Sequence, residues 1–182
     1  MKKILLILFW FVMIVSMPAP VIAADTIADH SSMLSESVVS KTTDNRVTKL
    51  QAYLDRHNSP LAQNAQDFVD AADMYGFGEN WALVAAIAGN ESTLGKFIPR
   101  GSYNAWGWGI PTGAQSGIGF RDWKEGIFTV TKGLKENYMN RGADTIEKIA
   151  PIYAPPSKTW ARNVRWFMNE IESTSTAPSL SL

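Results

Sequence analysis

The chain has no cysteine and only two histidines, His30 and His57, in 182 residues. Without a thiol there is no disulfide framework, no thiolate ligand, no cysteine nucleophile and no cysteine-linked lipid. A histidine-centred triad or metal site would have to be built on His30, in a Ser/Thr/Asp-rich stretch, or on His57, just ahead of a predicted helix start. Neither chemistry is expected, and no metal or cofactor is called for. An excess of positive charge is also missing, since 17 Lys and Arg stand against 17 Asp and Glu. That excludes the basic stripe a nucleic-acid binder needs. A phosphate-cradling glycine pattern is absent too, because "GWGIPTGAQSGIGF" is neither a P-loop nor a dinucleotide fingerprint. With these removed, carboxylate chemistry remains.

What the chain does have is 46% hydrophobic and 19% charged residues, the balance of a globular core. Its opening, "MKKILLILFWFVMIVSMPAPVIAADT", sets Lys2 and Lys3 before an uncharged run from Ile4 to Met17, then Pro18 and Pro20. That layout predicts a secretory signal over residues 1–24, cut after Ala23 or Ala24, with an uncleaved membrane anchor as the alternative. Its removal leaves 15 basic residues against 17 acidic ones, a nearly neutral chain. Residues 25–44 read as a linker, residues 45–172 as one domain, and residues 173–182, "STSTAPSLSL", as a disordered tail.

Inside the domain the predicted elements are helices. Val47, Leu50 and Leu54 share a face, Ser59 and Pro60 read as a cap and first turn, and Trp160, Val164, Phe167 and Ile171 recur at helical spacing. "ENWALVAAIAGNES" is apolar almost all round behind Asn80 as a cap, which predicts a central helix. Asp122 with Glu125, and Asp144 with Glu147, stand at capping-box spacing. The fold class is therefore all-α: one compact helical domain, expected to be monomeric, with a loop or small hairpin in the Gly-rich segment 101–119.

Capping accounts for those four acids but not for Glu91. On a helix starting near Trp81, Glu91 follows Val84, Ile87 and Ala88 by seven, four and three positions, so it prolongs a buried face. A helix C-terminus and apolar walls both disfavour negative charge, and together they would keep a proton on the carboxyl, as a general acid requires. The other reading is a helix-end Glu that points into solvent or pairs with Lys96 or an Arg. Downstream, "GSYNAWGWGIPTG" carries Tyr103, Trp106 and Trp108 among glycines. In an extended segment the two indoles would project to one side, as a saccharide platform or as packing.

The stretch "LVAAIAGNESTLGK" resembles the helix and Glu-Ser pair of the lysozyme-like superfamily, found in lytic transglycosylases and bacterial glucosaminidases that cut peptidoglycan. "SYNAWGWG" and "IAPIYAPPSKTWARNV" resemble later segments of such cell-wall domains, in the same order. The likeness spans residues 63–171 and implies an α-rich lysozyme-like fold. By that resemblance Glu91 is the catalytic acid, and Ser92, Tyr103, Asn104, Trp106, Trp108 and Tyr153 line the substrate site. The implied partner is the peptidoglycan glycan strand, cut at β-1,4 bonds between amino sugars by a secreted or envelope-associated enzyme. The "GLMQ"-like segment of many lytic transglycosylases is missing, with "WGWGI" at a similar place. The single prominent acid favours a transglycosylase; a hydrolytic glucosaminidase and a non-catalytic wall-binding module are the alternatives.

Overall fold

The computed structural model describes residues 44–109 and 117–176, so the predicted signal, nearly all of the predicted linker and residues 177–182 of the predicted tail lie outside the described residues. Six helices follow one another: α1 (Asn45–Arg56), α2 (Ala65–Met74), α3 (Leu83–Ser92), α4 (Trp123–Asn137), α5 (Ile146–Tyr153) and α6 (Trp160–Glu172). Three short 3₁₀ turns interleave them, at Ala62–Asn64, Gly78–Asn80 and Met139–Arg141. Among the described residues there is no strand, and the fold is all-α.

Helix α3 is the axis of this arrangement. Every residue from Leu83 to Gly89 is buried, because the segment offers no polar side chain that would need water. It packs on α6 and α4, while α1 lies against α2 and α6, α2 against α4, and α5 on α6. Small residues permit the close approach of α6: a Cβ on Gly89 would stand 2.6 Å from Phe167 Cδ1. Phe167 is thus half-buried over Gly89, and Met168 joins Trp160, Val164 and Ile171 as the fully covered side of α6.

Several predicted caps belong to other residues. Asn80 ends the 3₁₀ turn ahead of α3, and α3 itself starts behind Ala82 with no side-chain cap. Ser59 does not open α2, which begins at Ala65; its hydroxyl accepts from Leu61 N–H (3.1 Å) and donates to Leu94 O (2.8 Å). Thr145, not Asp144, caps α5, and the two acids pair with cations instead: Asp144 with Lys148 at 2.7 Å, and Glu147 with Arg165 across to α6. Asp122 does cap α4, accepting from Glu125 N–H at 2.8 Å, while Glu125 accepts from Arg121 N–H at 2.6 Å. At the far end, just past α6, Thr174 is buried and donates to Glu170 O (2.8 Å).

Two glycines seven residues apart on α4 receive the two indoles of the Gly-rich loop. A Cβ on Gly126 would lie 2.8 Å from Trp106 Cζ3, and one on Gly133 would overlap the Trp108 ring. Glycine inside a helix costs about 1 kcal/mol relative to alanine, a loss that makes sense only as room for the rings. Gly133→Ala is expected to lower stability by about 1–3 kcal/mol through overpacking, despite its better helix propensity. Urea unfolding measures this, and a stabilised variant would mean that the Trp108 ring moves aside freely.

Candidate active site around Glu91

Helix α3 emerges from the core only at its last turn. Asn90 is half-buried and Glu91 is exposed, so the expected apolar enclosure of this carboxyl does not form; the helix reaches the surface one residue before it ends. Glu91 is held instead by two neutral donors on the same oxygen. Its Oε1 accepts from Trp160 Nε1–H, at the start of α6, at 2.6 Å, and from Asn90 Nδ2–H at 3.1 Å. Among the described residues no ion pair includes Glu91. Lys96, its nearest candidate in sequence, donates to His57 O at 2.9 Å.

Directly beyond, the chain turns back through three consecutive left-handed residues, Thr93 (φ 53°), Leu94 (φ 60°) and Gly95 (φ 81°). The first two each cost about 1–2 kcal/mol. The turn is held by Leu94 N–H on Ala88 O (3.0 Å), by the burial of the Leu94 side chain, and by Ser92. The Ser92 hydroxyl donates to Ala105 O at 2.7 Å, has Ala88 O at 3.0 Å, and accepts from Gly95 N–H at 2.9 Å. Ser92 is therefore buried and fully engaged, tying the end of α3 to the Gly-rich loop. It supports the position of Glu91 and offers no free group to a substrate.

The loop is not extended, and its indoles part company. Gly107 (φ 62°) and Gly109 (φ 65°) supply the turns that β-carbons resist. Trp106 is fully buried between Phe68 and Phe120 and donates from Nε1 to Val84 O at 2.9 Å. Trp108 remains half-buried. Asn104 is buried at the centre of the loop: Nδ2 donates to Trp108 O (2.8 Å) and Ile118 O (2.9 Å), and Oδ1 accepts from Trp108 N–H (3.0 Å) and Trp106 N–H (3.3 Å). With Phe120 N–H on Ser102 O (2.8 Å) and Ile118 N–H on Trp108 O (3.3 Å), these bonds stitch two irregular arms where a hairpin was the alternative. Residues 110–116 lie outside the described residues. Tyr103 is exposed but sets its ring edge-on to Trp123, 5.2 Å between centroids, on the side of the α4 N-terminus.

A pocket of about 280 Å³ opens beside this frame, lined by Gly107, Trp108, Gly109, Tyr138, Ile152 and Tyr153. Tyr153, at the end of α5, is part of this lining and sends its hydroxyl inward to donate to Trp106 O at 2.6 Å. Burial, and then the neighbouring Glu91 charge, hold that phenol well above its ordinary range, so it stays a donor. Burial also raises Tyr138. The Tyr153 ring stacks on Trp160 with centroids 5.0 Å apart and 30° between planes. Trp160 thus joins the pocket's aromatic wall to the Glu91 carboxylate.

Of the residues proposed for the site, Glu91, Trp108 and Tyr153 are brought to one region with accessible surface. Ser92, Asn104 and Trp106 underlie it as framework. Sequence reasoning missed Tyr138, Ile152 and Trp160. Trp160 fits its helical spacing as a core residue, which it also is at 2% exposure; nothing in the spacing announced a bond to a residue 69 positions away. Tyr138 carried no signal beyond lying at the end of an amphipathic stretch.

Among the described residues, no three His, Cys, Asp or Glu side chains gather as a metal ion would need, and no helix is long and apolar enough to cross a membrane. The chain matches no protein-family model and no curated protein.

Proposed function

We propose that this protein is a secreted or envelope-associated enzyme that cleaves the glycan strands of peptidoglycan, with Glu91 as the acid. One observation carries the reading: an exposed carboxylate in the last turn of a buried helix is anchored through one oxygen by an indole N–H, and that indole stacks on a tyrosine that lines a pocket. The resemblance of "AGNESTLGK", "YNAWGWG" and "IYAP" to lysozyme-like wall-cutting domains supports the same assignment. The pocket is small beside the roughly 300–1,000 Å³ of most ligand sites, a size that suits one sugar residue of a strand. Its exposed lining is mostly polar, suited to sugar hydroxyls, with Trp108, Tyr138 and Tyr153 as its aromatic residues.

In this mechanism the Glu91 proton passes to the glycosidic oxygen as the bond to the anomeric carbon breaks. The resulting carboxylate then takes the proton of a hydroxyl on the same sugar while that oxygen closes a 1,6-anhydro ring. No water is consumed and the acid is regenerated. A hydrolase would add water instead, with a second carboxylate as base or nucleophile. Among the described residues no second carboxylate lines the pocket. That favours the one-acid route.

Digestion of purified peptidoglycan followed by mass spectrometry tests the proposal. Fragments short of one water at their ends are expected; reducible, fully hydrated ends would move the enzyme to the hydrolases, and intact strands would leave a binding module. Trp108→Ala, placed in a Glu91→Gln background, is expected to bind glycan strands about tenfold more weakly, or about 1.4 kcal/mol. Quenching of tryptophan fluorescence reads the affinity, with circular dichroism confirming retained helix. Unchanged affinity would assign the indole to packing on Gly133 alone.

A further inference from the structure

We infer that Trp160 is a positioning residue for Glu91, its indole N–H fixing Oε1 so that Oε2 is the oxygen from which the transferable proton leaves. The inference rests on the reading of Glu91 as the acid. Two N–H groups already point at Oε1, from Trp160 at 2.6 Å and Asn90 at 3.1 Å. A proton on that same oxygen would confront both donors, whereas one on Oε2 meets neither. The carboxyl is therefore asymmetric before any substrate arrives: one oxygen anchored, the other free to face the scissile bond.

An exposed glutamate on a helix end would ordinarily sample many rotamers, and general acid transfer needs the proton within hydrogen-bond reach of the leaving oxygen. Trp160 is suited to limit that motion because it is itself enclosed and packed. It is 2% exposed, its backbone N–H donates to Ser157 Oγ at 3.1 Å, and its ring lies stacked on Tyr153. Tyr153 is in turn bonded through its hydroxyl to the backbone of the fully buried Trp106. The carboxylate is thus referred to the core through three aromatic residues, drawn from the Gly-rich loop, α5 and α6. Of these only Trp160 touches Glu91 with a donor, which makes its N–H, and not its bulk, the testable element.

Two measurements on the full chain test the assignment. Trp160→Phe keeps a buried ring and deletes the N–H; kcat on solubilised peptidoglycan strands is expected to fall about 10- to 100-fold with KM within about twofold. In ¹⁵N-labelled parent protein the Trp160 indole resonance, assigned through its own backbone, is expected to move as acid neutralises Glu91, and to stop responding in Glu91→Gln. The spectrum needs no aromatic substitution, so it decides the pairing even where Trp160→Phe is unstable. A parental kcat in Trp160→Phe, with Glu91→Gln inactive, overturns the positioning role alone. An indole resonance indifferent both to acid and to Glu91→Gln overturns the pairing. Cleavage that survives Glu91→Gln removes the acid assignment and this inference with it.

Discussion

Glu91→Gln is expected to fold as the parent does and to cut glycan strands at least about 100-fold more slowly. The substitution is close to isosteric, and the amide oxygen can take the place of Oε1, still accepting from Trp160 Nε1–H and Asn90 Nδ2–H. Because Glu91 is exposed and belongs to no ion pair among the described residues, little stability is lost with its charge. What disappears is the proton that can leave. Turbidity loss of cell walls and zymography measure the rate, and thermal unfolding measures the fold. Activity within a few-fold of the parent would give Glu91 a structural role and turn attention to the pocket as a binding site.

Trp106→Ala should act on the opposite quantity, stability, by about 3–5 kcal/mol. The ring has no exposed surface, packs against Phe68 and Phe120, lies in the groove left by Gly126, and donates to Val84 O inside α3. Its loss opens a cavity that a backbone stitched through Asn104 cannot easily collapse, and it removes a buried hydrogen bond to the Val84 carbonyl, which keeps its place in the helix ladder. Against a typical total of about 5–15 kcal/mol, that can leave the chain largely unfolded at 37 °C. Urea titration is the measurement. A loss below about 1 kcal/mol would mean that the loop repacks without its indole, contrary to the bonds that fix it.

The helices were legible where one property repeats. The apolar run of α3, the Val47–Leu50–Leu54 face of α1 and the Trp160–Val164–Ile171 side of α6 depend on spacing alone, and burial follows them. Conflicts of local signals were harder to read: Asp144 and Thr145 are both competent caps, and geometry gives the place to Thr145. In the loop the alternation that would set Trp106 and Trp108 side by side fails because Gly107 and Gly109 turn the backbone. The Glu-Ser pair and "YNAWGWG" are brought together in the fold, yet Ser92 and Asn104 are polar because buried backbone groups there need partners. The mate of Glu91 was illegible, since only tertiary packing brings Trp160 to it.

The same long reach governs how the site comes and goes in time. The bonds that define it join residues 47 and 69 apart in the chain, Tyr153 to Trp106 and Trp160 to Glu91. Helical segments form from local contacts on a far shorter timescale than distant partners meet. No helix, however well formed, carries the site by itself; it exists only once α5 and α6 have docked on the loop and α3. A partial opening that releases the N-terminal turn of α6 would separate indole from carboxylate while most of the helical content survives. The pairing of Trp160 with Glu91 is therefore a late arrival in refolding and an early casualty of mild denaturant, a finer gauge of native docking than the amount of helix.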